Sequence, residues 1–440
     1  MKLMFCLTAG ALAAASVAGA QEKAPQRITY DDAVAIALKQ NVSVKQAENA
    51  TQLSDATVKQ QQKQFLPSLS LNLSGSNNVG RNFSQSEGTI INQQSQALST
   101  GLSSSLTLFD GGRNLSALRS ARADQEASEQ DLTRTRQSAV FTVASNFVSL
   151  TNANEQLKVQ EENLAALQKQ EQQIDAFVKA GSRPVADLYQ QQASVANAQL
   201  GVAQAQRAVE LAKVDIIQTL QLDPTGSYDF VAPAATDAAV NRTYSLDSLV
   251  ALAYANRADL SAQSARVEAA AQDVKAAAAG KLPTISLTGS YSTAYNSATD
   301  LSIANQFDQR RGGGLGIGIS IPLFDRGSSS AAAQKAAIAE SNAQLALSQQ
   351  RQSIALDVRR AYLDFTSAKQ QLTAATAQLA AAQKAVEATQ ARYKVGAATL
   401  VEVSQAQAQE VSAASALATA RNNLVLQEKA IDYAGGGTEK

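Results

Sequence analysis

Two stretches of alternating side chains constrain this sequence more than any other feature, because each interrupts a long helical pattern. The later stretch, residues 282–327, carries apolar side chains at every second position, as at Ile285 and Leu287 and again over residues 315–321. A period of two is typical of a strand with one apolar face and one polar or small face. The flanking segments are rich in Ala and Gln and lack that period. The sequence therefore predicts strand pairs set into a mainly α-helical chain.

The earlier stretch, residues 66–112, has the same layout. Each copy opens with Leu-Pro and closes with Leu-Phe-Asp; the openings lie 216 residues apart and the closings 215. Similarity at one fixed distance indicates an internal duplication. The chain is therefore predicted to contain two nearly equal halves, each with a helical segment, a strand pair and a helical hairpin.

Residues 1–20 have the features of a secretory signal peptide. Lys2 is followed by an apolar run over residues 3–17 and by Ala-Gly-Ala at 18–20. The alternative, an N-terminal membrane anchor, is disfavoured because the run is shorter than the roughly 20 residues that a spanning helix needs. The only cysteine, Cys6, lies in this segment. The mature chain is therefore expected to have no disulfide and no lipid-acceptor cysteine at its N-terminus.

Composition argues against most kinds of catalytic site. The chain has no histidine and no tryptophan, and its 38 basic residues balance 38 acidic ones. Histidine catalysis, haem ligation and ordinary zinc sites are thereby disfavoured, and the balanced charge does not point to nucleic acid, which would require a basic surface. The glycines at 312–314 lack the Lys-Ser/Thr of a phosphate-binding loop. The sequence predicts no enzyme, no cofactor, no metal and no nucleic-acid partner.

A very long helical pattern follows each strand pair. The first covers residues 115–178 without proline or glycine and would span on the order of 95 Å. Its apolar residues recur at spacings of mostly three, four or seven, which predicts a coiled-coil seam. Gly181 and Pro184 then mark a turn into a return helix over 185–222, and Gly396 marks the equivalent turn 215 residues later.

The opening segment is read as one helical region. It is expected to begin near Arg27 with Thr29 as N-cap, to break near Asn41, and to end at the Leu-Pro of 66–67. A polar loop over residues 77–96 is expected between the first two strands. The predicted organisation is a signal peptide (1–20), a first helical segment (21–65), a first strand pair (66–112), a first hairpin (113–224), a connector (225–243), a second helical segment (244–281), a second strand pair (282–327), a second hairpin (328–433) and a disordered tail (434–440).

The strands allow a membrane-spanning β-structure only if several copies share it. A transmembrane β-strand needs only about 9 to 11 residues. Four predicted strands are too few for a closed barrel, because outer-membrane barrels begin at about eight strands. If the strands cross a membrane, the long helices would extend from the shared barrel on one side and associate laterally as coiled coils.

In its duplicated layout, its strand junctions and the sequence RYKVGAATLVEV at 392–403, the chain resembles the TolC-type outer-membrane efflux proteins. That segment is close to the family signature Tyr-x-Val-Gly-x-x-Thr-x-x-Asp-Val. The resemblance implies a homotrimer in the outer-membrane lipid, with a shared twelve-stranded β-barrel and a long coiled-coil α-barrel across the periplasm. It also implies an exit duct for tripartite efflux or type I secretion. Such a duct passively conducts substrates and opens on docking of a periplasmic adaptor (membrane fusion protein) and an inner-membrane pump of RND, ABC or MFS type.

The resemblance also assigns a periplasmic aperture to the two helical turns. Asp187 and Glu402 occupy the aperture-carboxylate positions, and Tyr393 occupies the gate-tyrosine position. Gln405 stands where a second aspartate is common, and Ala398 replaces the arginine that often ties the gate shut.

Arg183 stands at the position of the first turn that is equivalent to Ala398. We hypothesise that Arg183 takes over part of the closing role, by pairing with Glu402 or by contacting Tyr393. The competing interpretation is that Arg183 and Glu402 are solvated residues near a turn, since exposed ion pairs contribute only about 0 to 1 kcal/mol.

Residues around the turns are the candidate docking surface for the adaptor's helical tip, with ordinary helix packing as the alternative. They are Gly181, Val185, Leu188, Gly396, Val401 and Val403.

A second functional hypothesis is a periplasmic coiled-coil adaptor without a pore. An adaptor is expected to carry one hairpin, a lipoyl-like β-domain and an inner-membrane attachment, whereas this chain has two hairpins and two strand pairs. A secreted coiled-coil structural protein is a third possibility, but it leaves the repeated strand junctions unexplained.

Overall fold

A computed structural model describes residues 26–84, 88–231 and 242–437. In chain order the elements are β1 (Gln26–Thr29), α1 (Tyr30–Gln40), α2 (Val42–Lys63), β2 (Ser68–Ser84), β3 (Thr89–Phe109), α3 (Arg113–Lys179), α4 (Val185–Leu220), β4 (Tyr228–Val231), α5 (Leu246–Asn256), α6 (Ala258–Ala278), a 3₁₀ turn (Ala279–Lys281), β5 (Thr284–Asn296), α7 (Ile303–Gln309), β6 (Gly312–Ser320), α8 (Ser328–Lys394) and α9 (Leu400–Ala434). The signal-peptide prediction falls outside the described residues.

Strands from both repeats form one antiparallel sheet in the order β2-β3-β5-β6. The register sets Leu71 beside Leu102, and Leu102 beside Tyr291, so apolar side chains share one face. Another row of that face runs from Leu106 through Leu287. The opposite face carries mainly Ser, Thr, Asn and Gly. The period-two pattern is therefore confirmed as a sheet with one apolar face.

The first strand pair is longer than the alternation predicts. The expected polar loop over 77–96 is largely wrong, because β2 continues to Ser84 and β3 begins at Thr89, paired directly with it. Backbone hydrogen bonds pair this part of the ladder, whose side chains are mostly Asn, Gln and Ser, and the Gln94 amide also donates to the Asn77 side-chain oxygen at 3.4 Å. Because this part of the sheet has no continuous apolar face, its sequence lacks the alternation of apolar and polar residues that predicts strands. The predicted strands were therefore too short.

The start of the first helix also differs from expectation. Residues near Arg27 form β1, which pairs in parallel with β4 inside the predicted connector. The helix begins at Tyr30, and Thr29 is confirmed as its N-cap: its hydroxyl accepts from the Asp32 amide while the Asp32 carboxylate accepts from the Thr29 amide. The break at Asn41 is confirmed too, since its side chain caps α2.

The four long helices lie side by side. α3 packs on α4, α8 packs on α9, and α3 also packs on α9, which gives the order α4-α3-α9-α8. α3 and α8 each have 67 residues and are thus about 100 Å long. Within the described part of the chain, no helix combines the length and the apolar character required for membrane passage.

Two equivalent apolar cores fix the short helices on the hairpins. In the first, α1, α3 and α4 enclose buried side chains that include Ile28, Val143, Phe147, Ile216 and Leu220. In the second, α5, α8 and α9 enclose Ile354, Val358, Phe365, Leu424 and Ile431. Because both cores lie midway along the hairpins, they hold the helical turns at one end and the sheet at the other.

A charged cluster beside the second core has no counterpart in the first. Arg257, between α5 and α6, is 5% exposed and donates to both oxygens of Asp259, at 3.0 and 2.6 Å. Asp357 of α8 accepts from the same guanidinium at 3.4 Å, and Arg134 of α3 lies 4.0 Å from Asp259. The first-repeat equivalent of Arg257 is the neutral cap Asn41, so the described part of the first repeat has no arginine at the corresponding position.

The same cluster holds the C-terminal segment. Arg134 donates to the Tyr433 main-chain oxygen at 3.1 Å, and its guanidinium carbon lies 3.8 Å from the centre of the Tyr433 ring. Gln137 donates to the main-chain oxygen of Gly436 at 3.1 Å. The disordered tail expected over 434–440 is therefore wrong up to residue 437, because α3 offers these carbonyl groups donors; residues 438–440 lie outside the described part.

We expect Asp259→Asn to destabilise the fold by about 1.5–3 kcal/mol, because it removes the carboxylate that accepts two hydrogen bonds from the buried Arg257 and leaves only Asp357 as its charged partner. The matched control is Ser43→Ala, the equivalent position of the first repeat, for which we expect a change within about 0.5 kcal/mol. Thermal unfolding of the purified protein measures both. Equal melting temperatures for the two variants would contradict the assigned role.

This contribution should also depend on pH. Burial alone would raise the pKa of Asp259, but the hydrogen bonds and charge of Arg257 and the charge of Arg134 outweigh it, so the pKa is lowered overall. A lowered pKa means that the stabilisation is present above the unfolded-state value of about 4 and is lost as the pH falls through the folded-state value. The difference in melting temperature between wild type and Asp259→Asn should therefore shrink in acid.

Candidate functional site at the helical turns

Two glycines shape the turns that join the long helices. Gly181 and Gly396 have φ angles of 72° and 79°, in the left-handed region that favours glycine at a helix C-terminus. Around the first, the Ser182 amide donates to the Phe177 carbonyl; around the second, the Ala397 amide donates to the Arg392 carbonyl. Both turns therefore reverse the chain in the same way and bring the two hairpin tips side by side.

The second turn uses its own carboxylate as a helix cap. The Glu402 carboxylate accepts from the Thr399 amide at 2.7 Å, and the Thr399 hydroxyl accepts from the Glu402 amide at 3.3 Å. The hydrogen bond from the Thr399 amide lowers the pKa of Glu402. The Glu402 carboxylate is thus hydrogen-bonded to the N-cap residue of its own helix. The pairing with Arg183, which was one of the two alternatives raised from the sequence, is not formed within the described chain.

The first turn has no such cap. The N-cap of α4 is Pro184, which offers neither a hydroxyl nor an amide proton. Asp187, three residues later, therefore lacks the local partner that Thr399 gives to Glu402. Its carboxylate instead accepts from the Tyr393 hydroxyl of the second repeat at 3.3 Å.

Arg183 completes a contact between the repeats. Its Nη2 donates to the main-chain oxygen of Tyr393 at 2.7 Å, and its guanidinium carbon lies 4.3 Å from the centre of the Tyr393 ring. Such a cation–π contact is worth about 0.5–2 kcal/mol, depending on desolvation. Of the two alternatives raised from the sequence, the structure contains the contact with Tyr393. We call the group formed by Arg183, Asp187 and Tyr393 the tip latch.

The Tyr393 phenol stays protonated at neutral pH. Burial and the negative charge of Asp187 raise its pKa, and the nearby Arg183 offsets this only in part. A neutral phenol is a hydrogen-bond donor. The Tyr393–Asp187 bond therefore persists throughout the physiological pH range.

An apolar cluster supports the tip latch. The buried side chains around Tyr393 are those of Ile174, Ala398, Leu400 and Val403, with Val178 and Leu188 partly buried against them. Ala398 is thus a packing residue at the position where the resemblance expects an arginine.

The predicted docking residues divide according to exposure. Val185 and Val401 are 52% and 64% exposed, so both can meet a partner. Val403 is 1% exposed. It was predicted on the docking surface, but its side chain fills the cluster beneath Tyr393 and does not reach solvent in this chain. Gln405 is exposed on α9.

A polar seam between α3 and α9 was not predicted from the sequence. The seam is a row of hydrogen bonds between side chains of the two repeats, namely Gln170–Gln407 at 2.7 Å, Gln156–Thr419 at 3.1 Å and Glu155–Asn422 at 2.7 Å. Asn422 and Gln407 are 4% and 8% exposed. Amides that interrupt an apolar stripe were the signal that could have revealed it.

We expect Thr399→Ala to loosen the first turn of α9, at a cost of about 1 kcal/mol, because the cap hydroxyl is lost. Hydrogen exchange followed by mass spectrometry should show faster exchange of the peptide that contains residues 399–403. Thr389→Ala is the control, since its hydroxyl donates to the Ala385 carbonyl inside α8 and caps nothing. Unchanged exchange at 399–403 would show that the capping box does not hold this turn.

The family model described as outer membrane efflux protein matches residues 33–220 and 249–437, which covers both repeats. The outer membrane efflux protein BepC of Brucella suis is 24% identical over 414 residues, 93% of this chain and 85% of the relative. The outer membrane protein TolC of Vibrio cholerae is 24% identical over 336 residues, 76% of this chain and 75% of its own. Among solved structures, CusC superposes with a TM-score of 0.81 at 23% identity, covering 93% of this chain and 92% of the other.

Proposed function

Because the chain belongs to the outer membrane efflux protein family, we propose that it is the exit duct of a tripartite efflux or type I secretion system. It lies in the outer membrane with a long periplasmic extension, and its relatives are channel proteins rather than enzymes. The proposed duct conducts substrates passively and opens when a periplasmic adaptor and an RND, ABC or MFS-type pump dock on it. The observation that carries this proposal is that the sheet and the helical layer each have two edges without a partner within the described chain.

The sheet supports assembly into a homotrimer with a twelve-stranded barrel. β2 and β6 are its edge strands, and each has one side without a partner within the described chain. They run antiparallel to each other, so β6 of one copy can pair with β2 of the next in the direction already used throughout the sheet. Three copies of four strands complete the proposed barrel.

The apolar face of the sheet supports contact with lipid. Its large side chains are 60–90% exposed in the single chain, namely Leu69, Leu71, Leu73, Leu315, Ile317 and Ile319. A contiguous apolar surface of this size needs a partner or a membrane. Alternation of lipid-facing apolar and lumen-facing polar residues is the pattern of an outer-membrane barrel.

The helical layer carries matching apolar edges. α4 exposes Tyr189, Leu200, Leu211 and Val214, and α8 exposes Leu356 and Leu363 on the part that lies level with α4. Because α4 and α8 are the outermost helices of the layer, α4 of one copy would meet α8 of the next. An interface between two different surfaces of neighbouring copies generates a closed ring when the rotation that relates the copies closes on itself. A helical tunnel requires such a ring.

The tip latch is the proposed closing device at the periplasmic end. It ties the first hairpin to the second within one copy, so its release would let the hairpins separate. Three copies of Glu402 near the pore axis would repel one another and favour cations, with Gln405 lying one turn further on. Val185 and Val401 are the proposed adaptor contacts, next to the turns at Gly181 and Gly396 and the half-buried Leu188.

The proposal of a trimeric duct is tested by mass and conductance measured on one sample. We expect the purified mature protein to be trimer-sized in detergent and to give discrete conductance steps in planar bilayers. Leu363→Asp should yield smaller particles, because it places a charge in the apolar contact between copies. Leu363→Met, an apolar replacement of similar volume, should remain trimeric. A wild-type protein that stays monomeric and out of lipid would contradict the duct and revive the adaptor hypothesis.

We expect Arg183→Ala to raise the open fraction of single channels about tenfold, since it removes one cation–π contact and one charged hydrogen bond. Arg392→Ala is the control, because that guanidinium donates to the Ala397 carbonyl within its own turn. Tyr393→Phe keeps the ring and the main-chain oxygen and should have a smaller effect. Unchanged conductance in Arg183→Ala combined with Glu402→Ala would show that the gate has been assigned to the wrong residues.

A further inference from the structure

A cavity of about 290 Å³ lies between the two repeats, next to the tip latch. Its walls are the last turns of α3, the last turns of α8 and the first two turns of α9. It is therefore bounded by helices from both hairpins. Anything bound there would contact the two hairpins at once.

The floor of the cavity is apolar and aromatic. Ile174 and Val403 are each 1% exposed, and the Tyr393 ring is 7% exposed. Phe177 also lines the cavity and is 45% exposed, so it forms a ring surface near the opening. Apolar floors with a few polar groups at the rim are typical of small-molecule sites, which start at about 300 Å³.

Two lysines from opposite repeats line the same cavity. Lys169 belongs to α3 and Lys394 ends α8, and no carboxylate is among the lining residues. In the described part of the chain, neither ammonium group has an ion pair or hydrogen bond within the structure. Other lysines of α3 do have partners: Lys158 lies 3.9 Å from Glu162 and Lys179 lies 2.6 Å from Asp175. Two like charges beside one cavity repel each other, and an anion would relieve that repulsion.

We propose that this cavity binds a small aromatic anion, with its carboxylate or sulfonate between Lys169 and Lys394 and its ring against Phe177 and Tyr393. Side-chain amides, including that of Gln170, also line the cavity and can hydrogen-bond to anionic oxygens. The ligand would tie α3 to α8 beside the tip latch. Its effect on opening rests on the proposed function, whereas its binding does not.

The probe for binding is 2-naphthalenesulfonate, with the neutral 2-naphthalenesulfonamide as comparator, titrated into the purified full chain by isothermal calorimetry. We expect the anion to bind and the sulfonamide to bind much more weakly. Lys169→Gln combined with Lys394→Gln should weaken anion binding about tenfold, because two rim charges are lost. Lys158→Gln combined with Lys384→Gln removes two charges from the same two helices outside the cavity and should bind like wild type.

If the two double variants bound the sulfonate with equal affinity, the proposed site would be wrong. If the wild type bound the sulfonamide as tightly as the sulfonate, the ligand would not need to be an anion. In planar bilayers the sulfonate should lower the open fraction of wild type and of the Lys158/Lys384 variant, but not of the Lys169/Lys394 variant. Equal inhibition of all three would indicate pore block and contradict the proposed coupling to the hairpins. If no variant conducts but calorimetry separates the two double variants, the proposed function fails while the binding site stands.

Discussion

The open edges of this chain are the constraint on which its architecture depends. A strand edge leaves a row of main-chain N–H and C=O groups without partners, and in a membrane there is no water to satisfy them. The chain ends its sheet at β2 and β6 and its helical layer at α4 and α8, so both layers are incomplete at the same two sides. In the proposed trimer, one repetition of the chain would close both layers.

Polar side-chain contacts join the two repeats along α3 and α9, in addition to the apolar cluster that the repeats share at the tip. Inside each repeat the core is made of Val, Ile, Leu and Phe. Between the repeats there is a row of side-chain amide hydrogen bonds. An arginine–tyrosine contact lies at each end of this row: Arg134 with Tyr433 at the middle of the molecule, and Arg183 with Tyr393 at the tip. Both arginines belong to the first repeat, lie over a tyrosine ring of the second, and donate to that tyrosine's own carbonyl. Arg134 is only 15% exposed, whereas Arg183 is half-buried, so water competes more at the tip. Under the proposed function, this makes the tip the end at which the repeats would part first.

The features that the sequence could predict are those with a local or periodic cause. The alternation around Ile285, the break at Asn41 and the glycine turns all follow from side-chain spacing or backbone freedom, and the structure contains each of them. The outer part of β2 and the β1–β4 pair were missed because their strands bury no continuous apolar face. Tertiary packing decides the rest. Val403 lies close to the exposed Val401 in sequence, but it is buried in a cluster with side chains of both repeats.

The partners of Asp187 and Glu402 show how a helix cap determines which carboxylate contacts the other repeat. Asp187 and Glu402 occupy equivalent positions, and periodicity alone cannot tell which of them reaches across to the other repeat. The difference arises three residues upstream, where Thr399 can close a capping box and Pro184 cannot. Glu402 is therefore held by its own helix, and Asp187 is left to accept from Tyr393. The two turns also differ at the equivalent positions 183 and 398. The first turn carries Arg183, and the second carries the buried Ala398. Because the two tips lie side by side, Arg183 of the first turn reaches Tyr393 of the second repeat.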